Sequence, residues 1–303
     1  MQYFQIFLVV LFALYGLILL ALFRKRRGRS SGEENILEEL EPDTRCAGEG
    51  EVRPLIEVIN VYKAFDHPVL CGVTLKVNCG ETLGVLGKSG TGKSVLLKLI
   101  AGFLKPDAGM ILFEGRDITT LPESRLLELR RKVSYVFQGG AFFDFLDVRG
   151  NIAFPMRERG VTDEKQIQER VDYLLEAVEL TGMGHLRYDS LSEGAKKQVA
   201  IARAIAVNPS VILYDEPTTG VDPIIGKALS RLIRKLGRME NLTSIVVTHD
   251  LKCLEIVSDN IVLLKDGVIH FQGTPQDFES SSDPFVVAFR TGRRYDEQLE
   301  RTA

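Results

Sequence analysis

Apolar residues fall in blocks along this chain, and each block has its own periodicity. Tyr3 to Phe23 reads YFQIFLVVLFALYGLILLALF, with no charged side chain and only Gln5 and Gly16 as interruptions. As a helix this stretch would be roughly 30 Å long, the thickness of a bilayer's hydrocarbon layer. It has no polar face, so a membrane span is predicted, with residues 1–23 as an anchor. Arg24 to Arg29 (RKRRGR) comes next with five positive charges, while the N-terminal flank has no Lys or Arg. That asymmetry predicts that everything after Arg24 is cytoplasmic, at the inner membrane. A cleaved signal peptide would instead carry its cations before a shorter apolar core and end in a small-residue cleavage site.

From Ser30 to Glu51 the pattern changes to eight acidic residues, one Arg and few large apolar side chains besides Ile36, Leu37 and Leu40. A self-repelling, flexible tether is expected there, so residues 24–54 read as a basic stop and then an acidic linker. Strand-like runs appear after it at Leu55–Val61, Val69–Val77 and Thr82–Leu86, and an apolar helical segment at Val95–Ala101. Further buried-strand patterns occur at Val133–Phe137, Val211–Tyr214 and Ser244–Thr248. Strands and helices alternate, which predicts an α/β domain over residues 55–280 with residues 281–303 as a C-terminal extension.

Composition narrows the classes. With 303 residues, 45% hydrophobic, 26% charged and a formal net charge of -3, the chain is neither wholly disordered nor basic enough for a nucleic-acid footprint. Cys46, Cys71, Cys79 and Cys253 form no CxxC pair, so neither a zinc site nor a disulfide framework is suggested, and reduced thiols are expected.

The chemistry begins where the third strand runs into Gly87-Lys88-Ser89-Gly90-Thr91-Gly92-Lys93-Ser94, with the helix opening at Val95. This is GxxxxGK[ST] in the strand, loop, helix order that it needs. Glycines let the backbone wrap a phosphate with N–H groups pointing inward, and the helix adds its positive end. Lys93 would reach the β and γ phosphates of ATP, and the Ser94 hydroxyl would be a ligand of Mg2+. A plain glycine-rich turn is the rival reading. At the end of Val211–Tyr214 stand Asp215 and Glu216. There Asp215 would hold Mg2+ and Glu216 would orient the attacking water, although adjacent carboxylates can also cap the next helix.

Taken together the chain resembles the ABC-transporter ATPases. Leu191-Ser192-Glu193-Gly194 is similar to the family's LSGGQ signature, Gln138 to its Q-loop, Thr219-Gly220-Val221-Asp222 to its D-loop, His249 to its switch histidine and Phe65 to its adenine-stacking aromatic. The resemblance implies a P-loop ABC ATPase fold: a RecA-like core, an antiparallel β-subdomain and an α-helical signature subdomain, here preceded by one transmembrane helix. It also implies a homodimer in which two copies meet head to tail, the cradle of one facing Ser192 and Gly194 of the other, with Asp222 at the same junction. Gln138 would then link the γ phosphate and metal to the transporter, and His249 would contact the γ phosphate. The signature departs from the pattern at Glu193, where a carboxylate would repel the nucleotide unless it turned outward or met Lys196 or Lys197.

The segment Gly139 to Glu158 and the tail Asp283 to Gly292 resemble the Mla-type lipid-transport ATPases of MCE systems. That resemblance implies phospholipid transport, with membrane permease subunits and an MCE-domain lipid-binding protein as partners. Two alternatives stand beside it: an ATPase for another small solute, and a weakly hydrolysing, nucleotide-gated scaffold tethered to the membrane.

Overall fold

The computed structural model describes residues 54–292. The apolar stretch 3–23 and the acidic stretch 30–51 lie outside the described residues. Among the described residues no helix is long and apolar enough to cross a membrane.

The chain opens with β1 (Pro54–Ala64) and β2 (Pro68–Asn78), antiparallel from Pro54 opposite Asn78 to Ala64 opposite Pro68. β3 (Thr82–Leu86) leads through a glycine-rich loop into α1 (Lys93–Ile100). β4 (Ala108–Phe113) and the two-residue β5 (Arg116–Asp117) then return to complete a sheet of order β2-β1-β4-β5. Next come α2 (Glu123–Lys132) and β6 (Val133–Val136), and then a helical region of α3 (Val148–Glu158), α4 (Glu164–Ala177) and α5 (Glu193–Ile205). The remainder is β7 (Val211–Asp215), α6 (Pro223–Met239), β8 (Thr243–Thr248), α7 (Leu251–Val257), β9 (Asn260–Lys265), β10 (Val268–Gly273), α8 (Pro275–Ser280) and α9 (Pro284–Thr291).

The second sheet has the order β10-β9-β3-β8-β7-β6, parallel throughout except for β10. Its central strands are buried on both faces, and strand alternation divides their side chains between two cores. In β7, Val211 and Leu213 join the cluster shared with β1, β2 and α1, whereas Ile212 and Tyr214 join the cluster built on α3 to α7. Strand β8 alternates likewise, with Ile245 and Val247 on one side and Val246 on the other. The fold is the expected P-loop arrangement of parallel core sheet, antiparallel sheet and helical region.

Helix α9 falls within the stretch read as a C-terminal extension, and it buries Phe285 and Val286 in the same core as α5 and α6. Cys71 and Cys253 are free thiols. Cys79 is disulfide-bonded, which corrects the expectation of reduced thiols throughout. Local spacing cannot register a pairing between segments far apart in sequence.

Candidate active site

The loop between β3 and α1 is closely packed. A Cβ on Gly87 would lie 2.6 Å from Thr91 Oγ1 and 2.8 Å from the Leu264 carbonyl, and one on Gly92 would lie 2.8 Å from Leu70 Cδ2. Gly92 also has φ of 97°, in the left-handed region that favours glycine. No side chain caps α1, so its first N–H groups remain for an anion. Lys88, Ser89 and Gly90 form the exposed crest, while Val95 packs at the edge of the core beneath.

Lys93 is buried and its Nζ donates to the carbonyls of Gly87 (2.8 Å) and Lys88 (3.0 Å). It also lies 3.6 Å from Glu216 Oε1. Burial holds this ammonium below its ordinary pKa, and the carboxylates of Glu216 and Asp215 oppose that shift.

Strand β8 separates β3 from β7, so the loop after β3 and the C-terminal end of β7 open on one edge of the sheet. There Ser94 Oγ donates to Asp215 Oδ1 at 2.8 Å, and Tyr135 Oη donates to Asp215 Oδ2, also at 2.8 Å. A hydroxyl and a carboxylate in contact are the hard oxygen donors that Mg2+ takes, so the residues fit that ion. Burial, with the Asp215 hydrogen bond second, raises the Tyr135 pKa, so the phenol stays protonated as a donor.

Glu216 leaves the strand with φ of 51°, an uncommon conformation for a residue with a side chain. The left-handed turn aims the carboxylate along the strand ends. Its Oε2 accepts from Thr248 Oγ1 (3.0 Å) and Thr219 Oγ1 (3.2 Å) and lies 2.9 Å from His249 Nδ1. Burial raises the pKa of this carboxyl, but His249, Lys93 and Thr248 together hold it below the ordinary glutamate value. With Oε2 so occupied, Oε1 is the oxygen left to accept a proton.

Lys93, Ser94, Asp215, Glu216 and His249 thus form one connected cluster. Ser192, Gly194 and Asp222 do not join it within the chain. Ser192 caps α5, its Oγ accepting from Ala195 N, and Asp222 caps α6 by accepting from Ile224 N and Ile225 N. Gly194 lies against Ile225, and a Cβ there would meet Cγ2 at 2.8 Å. Phe65 stands on the β1–β2 turn with its side chain 57% exposed and Lys63 Nζ 5.5 Å from the ring centroid. That leaves an aromatic face available for stacking. Glu193 turns outward and pairs with Lys196 at 2.7 Å.

Lys197, the other candidate partner for Glu193, donates instead to the Gln138 carbonyl. Arg203, nearly two turns further along α5, donates to the carbonyls of Ala141 (2.6 Å) and Gly140 (2.8 Å). The stretch after Gln138 is therefore tied by side chains to the helix that Ser192 caps. The Gln138 side chain is exposed. Beyond it, Asn151 is fully buried and fixes the aromatic loop: Nδ2 donates to the carbonyls of Phe143, Leu146 and Asp147, and Oδ1 accepts from Phe143 N. Phe143 packs on Phe154 at 4.2 Å between centroids, while Phe145 is 73% exposed.

Sequence reading missed Tyr135, Thr248, Lys197, Arg203 and the clamp formed by Asn151. Thr248 had a signal in its place directly before His249. The other four are ordinary residue types whose partners lie eight to eighty positions away.

A family model described as "ABC transporter" matches residues 70–219. The chain is 40% identical over 239 residues to the intermembrane phospholipid transport system ATP-binding protein MlaF of Haemophilus influenzae, covering 78% of this chain and 90% of that one. It is 37% identical over 230 residues to the methionine import ATP-binding protein MetN of Corynebacterium jeikeium, covering 75% of this chain and 62% of that one. Among solved structures, the dimeric post-hydrolysis state of the ATP-binding cassette MJ0796 bound to ADP and Pi superposes with a TM-score of 0.66 at 30% identity, covering 73% of this chain and 98% of that one.

Proposed function

The chain belongs to the ABC transporter family and is an ATP-hydrolysing transport ATPase, and from that premise we propose that the cargo it drives is phospholipid. The observation that carries this reading is the likeness to a phospholipid-transport ATP-binding protein along nearly that protein's whole length. The aromatic loop adds support, since Phe143 and Phe145 give the helical region an apolar face of the kind a permease helix can cover. Transport of another small solute is the second reading, favoured by the likeness to a methionine importer.

In the proposed reaction the Gly87–Gly92 loop and the start of α1 hold the phosphates of ATP, and Phe65 stacks on the base. Lys93 exchanges its carbonyl contacts for phosphate oxygens. Ser94 and Asp215 would hold Mg2+, with Gln138 completing the set, and the ion would neutralise charge on the phosphate oxygens. Glu216, kept ionised by its neighbours, accepts the proton of the attacking water at Oε1 while His249 and Thr248 fix the carboxylate. A second copy, arranged head to tail, brings Ser192, Gly194 and Asp222 against the phosphates, because the chain's own copies of these residues stand apart from its cradle. Residues 3–23 anchor this assembly at the cytoplasmic face of the inner membrane beside permease and MCE-domain subunits.

Two measurements test the proposal. Phosphate release by the purified protein should fall about 10²- to 10⁴-fold in Glu216→Gln, the range for loss of a general base. Equal, near-background rates in both proteins would favour a nucleotide-gated scaffold. Lipid mass spectrometry of the copurified membrane complex should find bound phospholipid, and a complex devoid of lipid but holding a polar solute would overturn the cargo assignment.

A further inference from the structure

Helix α6 is PIIGKALSRLIRKLGRM, which has five cations and no acidic residue in a protein whose formal charge is -3. At 100° per residue, Lys227, Arg231, Arg234, Lys235 and Arg238 all fall within an arc of roughly 100°. The opposite face carries Leu229, Leu232, Ile233 and Leu236 into the core. Arg234 is neutralised by Asp259 at 2.7 Å and also donates to the Val257 carbonyl. Arg231, Lys235 and Arg238 are exposed and have no ion pair among the described residues. Together with Arg234, Met239 and Ile256 they line a groove of about 400 Å³ whose floor is apolar and whose walls are cationic.

The geometry points to an occupant within the same chain: the acidic segment Glu33–Asp43, docked along the groove. Three observations select it. The first is charge, since six carboxylates lie between Glu33 and Asp43 with no cation among them, opposite three unpaired cations that would otherwise face one another. The second is the mixed character of both partners. Ile36, Leu37 and Leu40 are interspersed with those acids, and Met239 and Ile256 offer apolar surface between the groove's cations.

The third is place. Pro54, where the described chain begins, pairs with Asn78 at the end of β2. Directly after it, Gly80 N donates to Thr243 Oγ1 at 2.8 Å, and Leu242 N donates to the Gly237 carbonyl in the last turn of α6. The acidic segment therefore joins the domain beside the C-terminal end of the basic helix. The thirteen residues from Glu41 to Pro54 can span up to about 43 Å, and the groove from Arg238 to Arg231 is roughly 10 Å long. Such docking would hold the segment between anchor and motor in a set position and leave the nucleotide site untouched, since none of the groove residues contacts it.

The test is carbodiimide coupling of the full-length protein in detergent micelles. This reagent joins lysine amines to carboxylates in direct contact, and an equimolar mixture of ¹⁴N- and ¹⁵N-labelled protein is read by mass spectrometry. Lys235 should couple to carboxylates of residues 33–43 in same-isotope pairs. The yield should fall about tenfold in about 0.5 M NaCl, as screening of exposed charges requires. It should fall similarly in the double variant Arg231→Gln/Arg238→Gln, whose unchanged melting curve shows that the domain is folded. Absence of those pairs, or mixed-isotope pairs alone, would overturn docking within one chain. So would slowed hydrogen exchange over residues 231–239 that appears only on adding phosphatidylglycerol vesicles, which would make the membrane the occupant.

Discussion

Replacing Asn151 by alanine removes the amide that shapes the loop between β6 and α3. The side chain is fully buried and meets four backbone groups: the carbonyls of Phe143 (3.1 Å), Leu146 (3.2 Å) and Asp147 (3.0 Å), and the N–H of Phe143 (3.0 Å). An amide has two protons for those three acceptors, so about three full hydrogen bonds are made rather than four. At a net contribution of about 1 kcal/mol each, the variant loses about 3 kcal/mol, more if the Phe143 N–H stays dry. For a domain of this size that corresponds to a fall in melting temperature of roughly 6–12 °C. Urea unfolding monitored by circular dichroism measures the loss directly. Phosphate release at a temperature where both proteins are folded should stay within about twofold of wild type, because Asn151 touches none of the phosphate-facing residues. Copurification with the permease should drop, since Phe143 and Phe145 lose their fixed placement. A stability loss below about 1 kcal/mol would mean that water replaces these bonds freely and that the loop is not set by Asn151.

Glu193→Gly removes the exposed carboxylate at the N-terminal end of α5, and nucleotide-dependent dimerisation by analytical ultracentrifugation should strengthen modestly; unchanged or weaker association would count against a repulsive role. Tyr135→Phe removes a donor to Asp215, so the Mg2+ concentration giving half-maximal nucleotide binding should shift by several-fold with little change in melting temperature, and an unmoved Mg2+ titration would dismiss Tyr135 as a positioning residue. The Glu216 carboxyl is held below its ordinary value in the folded protein, so its charge adds stability above the unfolded glutamate pKa and loses that contribution as pH falls through the folded one. The stability difference between wild type and Glu216→Gln, from urea midpoints, should therefore move against wild type as pH is lowered through the acid range; a pH-independent difference would refute the assigned direction.

The chemistry was legible where it is written in contiguous residues. Gly87 to Ser94 must be read as a loop between strand and helix because their glycines and the flanking apolar runs leave no other arrangement, and the structure places the loop there. Asp215 and Glu216 were legible for the same reason, as carboxylates at the end of an apolar strand. Strand β7 shows the limit. Its five residues are all buried, so alternation carries no label saying which side chains meet α1 and which meet α5. The sequence could place Glu193 near two lysines, but not choose Lys196 over Lys197. In a helix that choice depends on which side faces the Gln138 loop, and that loop comes from another strand.

By itself the sequence determined the phosphate-binding loop, the carboxylates at the end of the β7 strand, the order of strands and helices, and the charge contrast between the acidic segment and the rest. Each is a property of neighbouring residues, fixed by backbone sterics and by period. Only the tertiary structure decided that Ser94 and Tyr135 share the two oxygens of Asp215, and that Thr248 and His249 hold Glu216. It alone decided that Lys197 and Arg203 secure the loop after Gln138. Those pairings join residues brought together by sheet order and core packing, and hydrogen bonds of a few ångströms cannot be read from positions dozens of residues apart.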